Sequence, residues 1–454
     1  MSFRGIRSRR PFFITPYAAT RRSTNSALAS DLSRYQHDEE LDFDAGGDLK
    51  YALSNNLNLD LTVNTDFAEV EVDDERVNLT RFSLFFPERR QFFLEREGTF
   101  DFGVSGLDRL FYSRRIGLTD DGRTVPIIAG GRLTGRAAGF DVGVLDMHTA
   151  SDAGQPAENL GVLRVRKSLD DGGSYVGLMG TSRVGGGDHS ILLGGDLEVR
   201  FRQNDYLTAE ITRAFDSRPD SGDGTLPSGR ARIQFERRSL RGLGGSLAAG
   251  LTGSDYRPTL GFVQRKGIWD ASADISYGFL TRTAGLRRIS PSISGSIVGT
   301  NGRSNIETWN AGAGMDLEFT SSAVLSAALT ATHEDLAQGF ALDEGTQVPP
   351  GNYRFTRIEL GLTPSQGWTS GAGLRTLIGG FFDGNVVSFG VSPFWNISPY
   401  VRVTADYSFD RVAFESRSEE FTAHVVRLRP EVSLDSRLST VATLQYNSIL
   451  DVAT

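Results

Sequence analysis

Leu57–Asn64 reads LNLDLTVN, and Leu193–Arg202 reads LGGDLEVRFR. In the first stretch every odd position is apolar and every even one polar. In the second, Leu193, Gly195, Leu197, Val199 and Phe201 alternate with Gly194, Asp196, Glu198, Arg200 and Arg202. Successive side chains of a strand point to opposite faces, so each stretch carries one apolar face and one polar or charged face. The same period returns in Ala231, Ile233 and Phe235 set against Arg230, Arg232, Gln234 and Glu236. It returns again in Val401, Val403, Ala405, Tyr407 and Phe409 set against Arg402, Thr404, Asp406, Ser408 and Asp410.

Two architectures suit such strands. A soluble sandwich turns the apolar face into a core, whereas a transmembrane barrel turns it into lipid and the charged face into a wet lumen. Many of the segments run to about ten residues, the length that a tilted strand needs to cross a bilayer. The connections decide further. Tight turns at 54–56, 169–174, 203–205, 239–242, 320–322, 364–366, 396–399 and 435–437 largely alternate with longer polar connections at 148–156, 216–228, 334–351 and 410–419. An up-and-down barrel has tight turns at one end and loops free to grow at the other, and a Greek-key sandwich has no reason to. Trp269, Trp309, Trp368, Trp395, Tyr175, Tyr206, Tyr353 and Tyr400 fall near strand ends, where interfacial girdles lie. The expected fold is all-β, one large transmembrane antiparallel β-barrel of roughly 18–22 strands with an inserted plug-like or rim segment.

Composition agrees. No apolar run approaches the ~18 residues of a membrane helix. The absence of cysteine removes disulfides and thiolate chemistry, and the five histidines are scattered without metal-ligand spacing. A net charge of -8, with acids and bases intermingled, speaks against nucleic acid as a partner. The expected organisation is a polar, Arg-rich segment at 1–45 and a barrel over 46–454, with the inserted segment at 66–123.

That insert breaks the period of two. It opens with a run of carboxylates at Asp66, Glu69, Glu71, Asp73 and Asp74, passes through FFPERRQFFLE at Phe85–Glu95, and closes on FYSRRIG at Phe111–Gly117. The acidic run lacks the EF-hand spacing for calcium, and a solvated or Arg-paired acidic face is the plainer reading. Arginines at 76, 81, 89, 90, 96, 109, 114 and 115 follow the acids, an order that suits an internally neutralised segment packed in a polar space. The expected network comprises Asp66, Glu71, Asp73, Glu88, Arg89, Arg90, Glu95, Arg114 and Arg115. It would lie inside the lumen as a constriction, or outside it as a cap on the rim.

The stretch from Gly46 to Glu95, GGDLKYALSNNLNLDLTVNTDFAEVEVDDERVNLTRFSLFFPERRQFFLE, and the later YSRRIG resemble a bacterial family known as domain of unknown function 5916. LGFVQR at Leu260–Arg265 and RPFFITPY at Arg10–Tyr17 are weaker echoes. Thr65, Glu69 and Val72 depart from the family's Pro, Gln and Ala and leave its charged positions intact. The resemblance implies a Gram-negative outer-membrane barrel, with a signal peptide and a sandwich similar to carbohydrate-binding family 9 ahead of it. Neither stands in this sequence, so a fragment or truncated product is expected.

The functional expectation is a porin-like conduit or surface-binding component for sugars or peptides in the bacterial outer membrane. Its expected partners are outer-membrane lipid and the barrel-assembly machinery. The alternatives are an outer-membrane hydrolase and a structural or assembly partner. No enzyme is expected, because no nucleophile elbow or phosphate loop is present and His189-Ser190 reads as a loop pair. No cofactor is expected either.

Overall fold

The computed structural model describes residues 12–28, 35–65, 74–104, 106, 108–119, 124–152, 154, 156–171, 173–217, 226–283, 285–302, 305–343, 345–435, 438–449 and 452–453. The wall begins with β1 (Phe12–Leu28), β2 (Tyr35–Ser54) and β3 (Leu57–Val63). After the insert it resumes with β4 (Ile127–Ala137), β5 (Phe140–Thr149), β6 (Glu158–Ser168), β7 (Tyr175–Gly185), β8 (Asp188–Arg200) and β9 (Asp205–Asp216). β10 (Gly229–Arg237), β11 (Gly242–Thr252), β12 (Ile268–Leu280), β13 (Leu286–Thr300), β14 (Ile306–Phe319) and β15 (Val324–Leu336) follow. A small hairpin, β16 (Phe340–Ala341) with β17 (Gln347–Val348), stands outside the wall's sheet. The wall continues with β18 (Gly351–Thr363), β19 (Ser370–Phe381), β20 (Gly384–Ser398), β21 (Val401–Phe414) and β22 (Glu419–Ser433). It ends in the short β23 (Ser439–Val441), β24 (Leu444–Asn447) and β25 (Val452–Ala453).

These form one 23-stranded sheet in which each wall strand from β1 to β22 pairs antiparallel with its neighbours in the chain. Such an order needs no crossovers and gives the up-and-down meander that the turn spacing implies. The sheet starts earlier than the sequence reading placed it. β1 and β2 pair from Phe12↔Tyr51 to Leu28↔Tyr35, so the barrel wall includes residues before 46. Arg-rich composition hid that hairpin because it masks the period of two.

Burial is inverted relative to a soluble protein. Leu193, Ile211, Ile293, Ile358 and Ile378 are outward and more than half exposed, while Asp60, Arg132, Arg164, Asp196 and Glu210 are inward and buried. A large apolar outer band over polar, ion-paired inner positions is stable only if lipid covers the outside. No helix among the described residues is long and apolar enough to cross a membrane, and the crossing is made by strands. The fold is therefore a single large transmembrane antiparallel β-barrel.

The two barrel ends differ largely as expected, but the long connection expected at 410–419 is only the four-residue turn 415–418, because β21 runs on to Phe414. β7 and β8 are joined by Gly186-Gly187, at φ 63° and 89°, and β19 and β20 by Phe382-Asp383, so tight turns also occur at the long-loop end. A two-residue hairpin with both residues at positive φ matches strand twist, which is why the glycine pair sits there.

Candidate functional site

The described residues of the insert, 74–104, 106 and 108–119, lie inside the wall. Pro87 fixes an extended entry, and the chain then makes a single helical turn at Gln91–Leu94 and tight turns at Glu97–Phe100 and Ser113–Arg115. Glu88 is the hub. Its carboxylate accepts hydrogen bonds from Arg90 Nε at 2.9 Å and Nη2 at 2.8 Å, from Ser113 Oγ at 2.6 Å, and from the backbone N–H groups of Arg89 and Arg90 at 3.0 Å. Arg90 also donates to the carbonyls of Ile116 and Ser113, each at 2.8 Å, and stacks 4.2 Å from the Phe93 centroid. Both side chains are essentially buried, at 2% and 1% exposure. The knot thus stitches FFPERRQFFLE to FYSRRIG through residues 23 to 26 positions apart in the chain. Burial alone would push Glu88 upward, but the hydrogen bonds and charge of Arg90, with Ser113, hold its carboxyl below the ordinary value.

From that knot the insert reaches the wall on one side through contacts that are buried except for the half-exposed Lys50–Glu95 pair. Arg132 of β4 pairs with Asp60 of β3 at 2.7 Å and donates to the Phe92 and Glu95 carbonyls, while Glu95 pairs with Lys50 of β2. Arg164 of β6 grips Asp196 of β8 at 2.5 and 2.8 Å, and Asp196 accepts Gly103 N–H at 3.0 Å. Glu210 of β9 accepts Val104 N–H at 2.8 Å and pairs with Arg230 of β10 at 3.0 Å. Phe92, Phe93, Phe100, Leu110 and Ile116 form one apolar cluster with the inward Leu145, Met147, Leu160, Val162, Met179 and Leu192 of β5–β8. Glycines make room for it. A Cβ on Gly143 would stand 2.9 Å from the Phe100 ring, and one on Gly194 2.7 Å from that of Phe102.

The loop between β11 and β12 folds inward as well. Phe262 and Arg109 exchange backbone hydrogen bonds at 2.7 and 2.9 Å, Tyr112 N–H donates to the Leu260 carbonyl at 2.7 Å, and Gln264 N–H to Asp108 at 3.0 Å. This loop contains the LGFVQR echo, whose place against the insert the sequence did not disclose. Its Tyr256, buried against β9 and accepting from Thr212 at 3.0 Å, is pushed up to about 12 by burial.

On the opposite side the insert is held by a strap of half-buried ion pairs. Asp74 bridges Arg89 at 2.6 Å and Arg427 of β22, and Arg427 also holds Asp406 of β21 at 2.6 Å. Arg81 pairs with Glu307 at 2.5 Å and Glu334 at 3.1 Å on β14 and β15. Glu75 accepts from Asn447 at 2.9 Å. Val77 and Leu79 pack on a second apolar cluster of Phe381, Val386, Val412, Phe414 and Phe421 at the long-loop end. Only a sheet curled around the insert brings β3–β10, β14–β15 and β21–β24 to one segment. Wall charges here face water, with Arg375 72% and Glu359 43% exposed, against 1% and 0% for Arg164 and Asp196. The insert is off-centre.

Of the residues expected to form the network, Glu88 and Arg90 meet, and Arg114 docks beside them on the backbone. Arg114 donates to the Pro87 carbonyl at 3.1 Å and lies 5.7 Å from the Phe86 ring. Arg89 turns to Asp74, Glu95 to the wall and Arg115 to the Gly261 carbonyl at 3.3 Å. Asp66, Glu71 and Asp73 lie outside the described residues. The wall residues Asp60, Arg132, Arg164, Asp196, Glu210 and Arg230 were missed as members, although alternation put each on the polar face. His189 and Ser190 open β8 instead of lying in a loop, and neighbouring strand positions face opposite sides, so they form no pair.

Residues 12–127 match a family model described as domain of unknown function (DUF5916), from the first residue of β1 to the first of β4. No match is found among curated proteins. Among solved structures, a mutant ferric enterobactin receptor of Pseudomonas aeruginosa in complex with enterobactin is 10% identical. The match covers 95% of this chain and 75% of that one at a TM-score of 0.47. The P pilus usher translocation pore is 9% identical over 96% and 93% at 0.35.

Proposed function

With residues 12–127 belonging to the DUF5916 family, we propose that this barrel is a plugged conduit of the bacterial outer membrane, with the insert as its gate. One observation carries the reading. The insert is sealed by fully buried contacts on the β3–β10 side and tethered to β14–β15 and β21–β22 by partly solvated ion pairs, with Arg427 and Asp74 22% and 23% exposed against 1% and 0% for Arg164 and Asp196. Removing one partner of a buried pair is strongly destabilising, whereas pairs that water partly reaches are screened and hold less tightly. Motion would therefore begin at the strap 74–82 and leave the Glu88 knot docked. The polar lumen suits small hydrophilic solutes, sugars or peptides among them. Insertion would require the barrel-assembly machinery and outer-membrane lipid.

The test is single-channel conductance of the refolded chain in planar bilayers. Asp74→Asn should raise open probability, and replacing Arg89, Arg90, Arg114 and Arg115 together should raise conductance further. A barrel whose current is indifferent to all of these carries no gate in the insert.

A further inference from the structure

A cavity of about 750 Å³ lies between the strap at Asp74–Arg76 and the inner face of β18–β22. Pro364 and Gln366 of the β18–β19 turn line it, as does Arg402 near the start of β21, so it faces the tight-turn end. Four guanidinium groups reach it: Arg76, Arg375, Arg402 and Arg427. Its carboxylates are already engaged. Asp74 is held by Arg89 and Arg427, Asp406 by Arg427 at 2.6 Å, and Glu75 by Asn447 at 2.9 Å. Arg375 is paired with Glu359 at 2.8 Å.

Arg76 and Arg402 differ. Among the described residues neither meets a carboxylate within ion-pair distance. Arg76 has only the Phe86 ring, 6.0 Å from its guanidinium carbon. Glu431, across from Arg402 in register, is taken by Arg429 at 3.1 Å. Two uncompensated cations, one on the insert and one on the wall, therefore line one cavity. Guanidinium forks match a carboxylate in plane and bidentately. The Ser392, Thr404 and Ser408 positions on the same lining offer hydroxyls, and Phe394 offers a ring. The volume falls within the roughly 300–1,000 Å³ of small-molecule sites.

We propose that this cavity binds a small carboxylated, polyhydroxylated solute, an acidic sugar in chemical class, with Arg76 and Arg402 as its carboxylate-binding pair. The role in transport rests on the gated-conduit reading; the binding does not. A solute held between strap and wall would compete with the contacts that keep Asp74 beside Arg427, linking occupancy to the gate.

Isothermal titration of the full chain in detergent, with galacturonate, glucose and inorganic phosphate as probes, tests it. Galacturonate should bind, and Arg402→Gln or Arg76→Gln should each weaken it by roughly 10- to 100-fold, the worth of a charge-assisted hydrogen-bonded contact. Arg402→Lys should recover part of the loss. Heat-modifiability of the barrel on gels shows that each variant is folded. Equal binding of glucose or phosphate, or galacturonate binding unchanged in Arg76→Gln and Arg402→Gln, overturns the assignment. Galacturonate binding in a barrel that never conducts leaves the site standing and removes the conduit. Current that responds to the strap variants without galacturonate binding does the reverse.

Discussion

Replacing Glu88 by glutamine keeps the shape of the side chain and removes its charge, which isolates what the buried pair contributes. In the native insert five donors converge on that carboxylate, and the Arg90 guanidinium beside it is 1% exposed. Glutamine can accept through one oxygen only, and its amide would face the Arg90 or Ser113 donors. An uncompensated buried guanidinium costs about 3–5 kcal/mol. At about 1.4 kcal/mol per decade, the undocked population of the insert should rise by roughly 100- to 5,000-fold. Native-state hydrogen exchange followed by mass spectrometry reads this directly. The amides of Phe93 and Leu94, bonded to the Arg90 carbonyl at 3.0 and 3.1 Å, and of Ile116, bonded to the Ser113 carbonyl at 2.9 Å, should lose protection. Amides within β12–β14, which this pair does not touch, serve as the internal standard and should not change. Unaltered exchange at Phe93, Leu94 and Ile116 in a folded Glu88→Gln barrel would refute the idea that this pair holds the insert.

Acid should loosen the insert in the wild type. The Glu88 and Asp74 carboxyls are both held below their ordinary values of 4.5 and 3.8 despite burial, Glu88 by Arg90 and Ser113 and Asp74 by Arg427 and Arg89. The docked state therefore binds fewer protons than the undocked one. Its stability is full above those values and is lost as pH falls through the lower, docked values. Current recorded from neutral pH downward should stay low until that range, and Glu88→Gln should flatten the response. Gly194→Ala and Gly143→Ala should drive the Phe102 and Phe100 rings off the wall, because a Cβ would stand 2.7 and 2.9 Å from them. Limited proteolysis of the insert checks this against Gly295→Ala, whose Cβ would meet nothing closer than 3.7 Å. Ile211→Lys, at an outward position 58% exposed, should cost about 2–4 kcal/mol if it sits near the bilayer midplane and should impair assembly. A lysine at the inward Ser272 should be tolerated, and folded yield on gels compares the two.

The sequence by itself determined the wall. A period of two is a local property, since each residue's face follows from its neighbours whatever the barrel does, and turns as short as Ala138-Gly139 leave no choice of pairing. LNLDLTVN and LGGDLEVRFR therefore gave strand, inner face and outer face together. They also marked Asp60 and Asp196 as inward without saying what each would hold. The β1–β2 hairpin escaped because charges obscured its period.

Tertiary structure alone decided the inside. Glu88 stands beside Arg90 and Ser113, Asp74 beside Arg427, and Asp196 beside Gly103 only after the sheet has curled and brought residues up to hundreds of positions apart to one interior. No local pattern encodes those meetings, because an arginine's partner is chosen by distance through space. That the insert lies against one wall and leaves Arg375 in water on the other follows from side-chain volume. Inward Leu145, Met147 and Leu192 with Gly143 and Gly194 fit its phenylalanines, and the hydroxyl-lined face at β20–β21 does not.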